Sequence, residues 1–241
     1  MSRTVVVQGA SRGLGRAFVD LCLARGDRVV ATCRDPGRTE LPAHPNLSVH
    51  ALDVTDEATV AAAAAAVRNE VARVDLLLNV AGILAAPGRS PEKRLEHVDP
   101  AHLHAVFAVN AVGPLLVTRH FLPLLKHDRP AVVANLSARV GSIGDNHLGG
   151  WYGYRASKAA QNQLSKTLAV ELSRRAKNVC VVALHPGTVD TDLSRPFHRN
   201  VPAHKLFGRE RAARQLLAVI DGLTTADSGA FLAWDGSPIP W

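Results

Sequence analysis

Tyr154 and Lys158 stand four residues apart in a stretch, Gly153 to Arg174, whose pattern predicts a helix. Residues at that spacing share one helix face. A phenol has a pKa of about 10 and is a poor acid–base group at neutral pH unless its anion is stabilised. A neighbouring ammonium supplies that stabilisation. Such a pair can hand a proton to a carbonyl oxygen as hydride reaches the carbon. A tyrosine and a lysine at this spacing also make an ordinary surface pair, so the weight falls on the elements around them.

Those elements alternate. Thr4–Gln8 reads as a short apolar strand, Gly9–Gly15 as a glycine-rich turn, Leu14–Ala24 as a helix and Arg28–Cys33 as a second strand. Further strands are expected over Leu47–Leu52, Asp75–Asn79, Ala131–Leu136, Asn178–Leu184 and Gly229–Ala233. Helices are expected over Glu57–Arg73 (capped by Thr55 or Asp56), Ala101–Leu125 (bent near Gly113-Pro114), Gly153–Arg174 and Arg209–Gly222. The strands are apolar runs without alternation, the signature of a parallel sheet covered on both faces. The fold class is therefore α/β, a doubly wound parallel sheet of about seven strands with helices on both faces. No linker divides it, so residues 1–241 are expected to form a single domain. Two irregular stretches, 85–99 and 187–208, follow strands and so lie at the carboxyl edge, where open sheets bind ligands. The second is expected to be a substrate loop that closes as a lid.

The first turn is Gly9-Ala10-Ser11-Arg12-Gly13-Leu14-Gly15, a GxxxGxG spacing between a strand and a helix. Glycines let a backbone turn tightly against a phosphate, and the helix start offers free N–H groups. The end of the second strand bears on the cofactor. NAD sites favour an acid there, for the ribose hydroxyls. Here Cys33 stands in its place and Arg34 follows, while Asp35 starts the next turn with Pro36. Arg12 and Arg34 together can clamp a 2′-phosphate, which points to NADP in a Rossmann-type site. Asp53 and Val54 end the third strand, where they either meet the adenine or cap the loop.

Bulk properties exclude more than they select. Of 241 residues, 47% are hydrophobic, and 28 Lys+Arg against 21 Asp+Glu give +7. That suits an acidic ligand, but the basic residues are scattered, so nucleic acid is not expected as a partner. Three cysteines without paired spacing indicate buried thiols and a reducing, cytoplasmic setting. Eleven histidines form no HExxH and no compact carboxylate cluster, so no metal site is expected. No continuous apolar run approaches the ~18 residues of a membrane span.

Taken in order, the Gly9–Gly15 turn, Asn79-Val80-Ala81-Gly82, Asn110, Tyr154-xxx-Lys158 and Pro186-Gly187 resemble the short-chain dehydrogenase/reductase family over essentially the full length. Thr32-Cys33-Arg34, His185-Pro186-Gly187 and the end Trp234 to Trp241 are similar to its C-factor-like and sniffer-like carbonyl reductases. The resemblance implies NADPH-dependent reduction of an aldehyde or ketone, or the reverse alcohol oxidation, in a homodimer or homotetramer. It implies Tyr154 as the general acid and Lys158 as the group that lowers its pKa and holds the nicotinamide ribose. Asn110 would hold a relay water. Asn79, Ala81 and Gly82 would line the cofactor, and Pro186, Gly187 and Thr188 would meet the nicotinamide side.

The chain departs from the family pattern at Gln8, where threonine is usual, at Val80, and at Ala138, where the family has a serine that bonds the substrate carbonyl. Ser137 matches the preceding serine, whose side chain points to the other face of a regular strand. Three accounts follow. Ser137 turns into the site through a bulge and serves as the catalytic serine, Ser142 approaches from the loop, or the site works more slowly without this donor. The loss also raises a second function, a nucleotide-binding regulatory or signalling protein with weak turnover.

Overall fold

The computed structural model describes residues 2–241, the side chain of Asn200 aside. Val5, Val6 and Val7 are all fully buried, which requires cover on both faces of their strand. Val5 and Val7 pack on one side of the sheet with Phe18, Leu216 and Leu217, while Val6 packs on the other with Val60, Val117 and Phe121. The same alternation runs through Leu76 and Leu78 against Leu77, and so fixes the register of the sheet.

The strands are β1 (Thr4–Gln8), β2 (Arg28–Cys33), β3 (Leu47–Ala51), β4 (Leu76–Asn79), β5 (Ala131–Leu136), β6 (Val179–His185), β7 (Thr188–Val189), β8 (Leu206–Phe207) and β9 (Phe231–Ala233). Seven form one parallel sheet in the order β3-β2-β1-β4-β5-β6-β9. β7 and β8 make a separate two-stranded parallel ribbon, absent from the sequence expectation, at the two ends of the 187–208 loop. Two-residue strands carry too little pattern to be read.

Helices α1 (Gly13–Ala24) and α6 (Arg209–Asp221) cover one face; α2 (Glu57–Glu70), α4 (Gly113–Leu125) and α5 (Tyr152–Arg175) cover the other. Asp56, not Thr55, caps α2 through Ala58 N. That helix stops at Glu70, short of the expected Arg73, whose guanidinium pairs with Asp75 at 2.9 Å instead.

The expected helix over 101–125 is three pieces: α3 (Pro100–Phe107), a π-helical turn (Ala108–Val112) and α4. The irregularity thus lies upstream of Gly113-Pro114 and is centred on Asn110. Pro114 has no N–H to give the Asn110 carbonyl four residues back, and Gly113 N reaches five residues back to Ala108 O. Although Pro100–Leu125 is long and apolar enough to cross a membrane, Val106, Val117, Phe121 and Leu125 are fully buried within the protein, as in a core helix.

Candidate active site

β1 and β4 are neighbours, but the chain leaves β1 toward β2 and leaves β4 toward β5. This reversal opens a crevice at the carboxyl ends. A cleft of about 1280 Å³ lies there, walled by the glycine turn, the ends of β2 to β6 and the 187–208 loop.

At its β1–β2 side the glycines are required. A Cβ on Gly15 would lie 2.1 Å from Gly9 O, and one on Gly9 would lie 2.7 Å from Ala81 N. Gly9 also has φ +87°. The β1 turn, the start of α1 and the loop after β4 therefore meet at backbone contact. Gln8 locks that meeting, since its Oε1 accepts from Ala81 N at 3.2 Å. The residue that departs from the family pattern thus has a structural task. No side chain caps the first N–H groups of α1 and no acid lies in its first turn, so they remain available to an anion.

Arg12 and Arg34 both border the cleft. Arg12 pairs with Asp192 of the 187–208 loop at 3.5 Å, while Arg34 has no acidic partner among the described residues. Asp35 is engaged elsewhere, accepting from Gly37 N and pairing with Arg38, as its expected turn role requires. Asp53 caps its loop and also borders the cleft. Its carboxylate accepts from Thr55 N and Oγ1, and it lines the cleft with Val54.

At the β5 side, Tyr154 and Lys158 are 7% and 3% exposed and face the cleft. Burial pushes the Tyr154 phenol up and the Lys158 ammonium down to about 7. Lys158 Nζ donates to Leu136 O (2.7 Å) and to Gln161 Oε1 (2.9 Å). Asn110 lies behind the cleft wall. Its side chain holds Ile83 N and O and donates to Ser157 Oγ, which in turn donates to Tyr154 O. A Cβ on Gly82 would touch both Asn110 Oδ1 (3.3 Å) and Lys158 Nζ (3.7 Å), so these two groups converge there.

Ser11, Gly13, Leu14, Ala81, Gly82, Pro186, Gly187 and Thr188 line the cleft as expected. Asn79 does not. Its amide is buried among α4 and β5, donating to Asn135 Oδ1 (2.7 Å) and Thr118 Oγ1 (3.2 Å). The last residue of a strand covered on both faces can point into the core, and this one does. Phe207 packs against Trp234.

Ser137 and Ala138 both border the cleft. β5 ends regularly, Ser137 donates to Asn162 Oδ1 at 2.6 Å, and Ala138 has extended backbone and borders the cleft. Ser142 Oγ accepts from Asp145 N and donates to Trp241 O. Ser137 thus borders the cleft with its hydroxyl proton given to Asn162, while Ser142 is not among the residues that line it.

Residues 3–201 match the family model described as short chain dehydrogenase. The chain belongs to the short chain dehydrogenase family. It is 38% identical to the C-signal protein of Myxococcus xanthus over 168 residues, 70% of this chain and 93% of that one. Among solved structures it is similar to the NADPH-bound carbonyl reductase from chicken fatty liver, at 34% identity and TM-score 0.86, covering 100% of this chain and 99% of that one. It is also similar to the carbonyl reductase Sniffer of D. melanogaster, at 27% identity and TM-score 0.87, with 100% of both chains covered. Both parts of the subgroup resemblance thus have counterparts within the family.

Three site residues carry no sequence signal of the family kind. Trp151, the residue before α5, has φ 54°, the only positive φ outside glycine among the described residues. Its ring lies 6.3 Å from that of Tyr154 and 5.1 Å from that of Phe197. Glu92, 2% exposed, accepts from Trp151 N through its backbone and from Gly153 N through its carboxylate. Gln161 holds Lys158. In the sequence Glu92 is one charge among several, and Gln161 one polar residue in a polar helix.

Proposed function

We propose that this dehydrogenase family member is an NADPH-dependent carbonyl reductase, reducing an aldehyde or ketone reversibly with Tyr154 as the general acid. The observation that carries the reading is one continuous cleft with Arg12 and Arg34 at its β1–β2 side and Tyr154 and Lys158 at its β5 side. The related chicken carbonyl reductase is NADPH-bound. The uncapped start of α1 and the glycine contacts at Gly9 and Gly15 fit a pyrophosphate, and the two guanidinium groups fit a 2′-phosphate.

When bound, the nicotinamide supplies the hydride. Tyr154 gives its hydroxyl proton to the oxygen of the carbonyl being reduced. Lys158, as an ammonium, stabilises the phenolate left behind and holds the nicotinamide ribose. The Asn110 carbonyl, which Pro114 cannot engage, holds a water that returns a proton toward Lys158. Asp53 and Val54 meet the adenine, and Pro186, Gly187 and Thr188 flank the nicotinamide. Trp151, Leu193 and Phe197 give the substrate an apolar wall, with the 187–208 loop as its cover.

Ala138 leaves the carbonyl oxygen with one donor fewer, which favours slow turnover over none, because Asn110, Tyr154 and Lys158 all persist. We place the protein in the cytoplasm as a homodimer or homotetramer that pairs along α4 and α5, where Val112, just before α4, and Val170, on α5, are about half exposed. The test is titration with NADPH and NADH, followed by turnover on a panel of aldehydes and ketones. Tight NADPH binding with no reduction across the panel would falsify the reductase reading and favour a nucleotide-binding signalling role. Light scattering in solution tests the assembly.

A further inference from the structure

Lys158 is gripped from behind. Two of the three N–H groups of its ammonium are spent on Leu136 O and Gln161 Oε1, leaving one for the cleft. Gln161 is 1% exposed and sits one turn along α5 from Lys158. Its Nε2 has no protein partner. The same side chain borders a chamber of about 10 Å³ shared with Thr118, Asn135 and Ser165. That is room for about one water with polar partners.

The other neighbours of Nζ offer no negative charge. Leu136 O comes from β5, Gly82 from the loop after β4 and the Tyr154 ring from α5. Gly141, from the turn after β5, packs on the Lys158 backbone and Cβ. No charged group opposes the burial that lowers the Lys158 pKa. Two carbonyl dipoles therefore hold the ammonium, and one of them belongs to a side chain that can be changed.

We propose that Gln161 is a positioning residue of the proton-transfer site, its amide oxygen keeping Lys158 aimed and protonated so that Lys158 can stabilise the Tyr154 phenolate. The placement is independent of the reductase reading; its consequence for turnover rests on that reading. A hydrogen bond to the charged form favours that form. An apolar side chain of similar size removes it without removing Lys158, and a carboxylate strengthens it.

The experiment is direct titration of Lys158 by NMR in protein carrying 13C at lysine Cε, without cofactor, the resonance assigned by its loss in K158M. In Q161L the Lys158 midpoint falls by about one pH unit or more, and in Q161E it rises. In parallel, kcat for 4-nitrobenzaldehyde with NADPH is measured against pH. Q161L loses about tenfold in kcat at pH 7, one pKa unit expressed as a rate. The high-pH limb of its profile moves down while KM for NADPH holds. If Q161L does not fold, Q161M and Q161E provide the same comparison. A midpoint unmoved in the variants, or an active wild type whose pH profile Q161L reproduces, overturns the proposal. A moved midpoint in a protein that reduces no carbonyl keeps the grip on Lys158 and removes the reductase reading instead.

Discussion

Lys158 Nζ lies 6.0 Å from the centre of the Tyr154 ring, with both side chains on one face of α5 and both buried. Burial works against both charged forms. Tyr154 is therefore a neutral phenol that is ready to give a proton and depends on Lys158 once it has done so. Y154F is expected to lower kcat by about 10²–10⁴, the usual contribution of a positioned acid, with NADPH affinity unchanged. Steady-state turnover and NADPH titration check this. Turnover close to wild type in Y154F would place the proton donor elsewhere.

The same burial makes Lys158 a cost to stability. Its folded pKa of about 7 lies below the ordinary 10.5. Between those values the unfolded chain binds the proton and the folded chain does not, so stability rises with pH across that window. Below pH 7 the full cost is present, and above about 10.5 it is gone. K158M removes the buried charge but orphans Leu136 O and Gln161. We expect a net gain of about 1–3 kcal/mol at pH 6.5, shrinking toward pH 10, together with loss of turnover. Urea unfolding at the two pH values measures it. A difference that does not change with pH would mean Lys158 is not titrating in that window.

Among the described residues Arg34 borders the cleft without an acidic partner, whereas Arg12 is shared with Asp192. R34A should weaken NADPH binding by about 10–100-fold, the worth of charge-assisted hydrogen bonds, and leave NADH untouched. R12A should weaken NADPH as well and also free the 187–208 loop, since it breaks the contact with Asp192. Fluorescence titration with both cofactors separates these outcomes. Equal losses for NADPH and NADH in R34A would remove Arg34 from the 2′-phosphate.

Much of this was readable in the residues before any coordinates. β1, β2 and β5 have the bounds their apolar runs predict, because a strand buried on both faces leaves no ambiguity of pattern. The glycine turn was readable because only glycine tolerates the contacts at Gly9 and Gly15. Asn79 was not, because a motif names a residue without saying which face of the strand it takes. Helix α5 shows the limit most plainly. Its buried face includes Ser157, Lys158, Gln161, Asn162 and Ser165, so hydrophobic periodicity is faint where the chemistry is densest. Glu92 and Trp151 lie outside regular structure, and their contacts form only once the loop before α3 folds back onto the start of α5.

Ala138 borders the cleft just after β5, beside Ser137, whose hydroxyl donates to Asn162 Oδ1. A138S would place a hydroxyl there with no change of backbone, since the site is already extended. Removing one donor from an oxyanion-type site costs about 2.7–4 kcal/mol in other enzymes. Restoring one should therefore raise kcat by at least about tenfold, some of the gain being lost to imperfect placement. S137A, by contrast, should destabilise the fold through Asn162 and leave kcat nearly intact. If S137A abolishes turnover and A138S does nothing, Ser137 serves the reaction after all.

Glu92 bears on whether Tyr154 is held in place at all. Three successive residues, Gly149, Gly150 and Trp151, have positive φ just before α5 begins. The Trp151 backbone is the costly one, since a bulky side chain rarely takes that conformation. Glu92 holds the turn from both sides, accepting from Trp151 N and Gly153 N, with His102 Nε2 3.4 Å from its carboxylate. A Cβ on Gly153 would lie 2.9 Å from Glu92 Oε1 and 3.1 Å from Leu103, so a larger residue there would push the Glu92 carboxylate aside. E92A leaves the Gly153 N–H without this acceptor and should cost about 1–3 kcal/mol. E92Q keeps one acceptor oxygen and should recover much of that. Because Trp151 packs between Tyr154 and Phe197, the loosened turn should also lower kcat while KM for NADPH, set at the β1–β2 side, stays put. Urea unfolding and steady-state kinetics on E92A, E92Q and G153A together decide it. If E92A unfolds with wild-type stability, the turn holds itself and Glu92 is not its clamp.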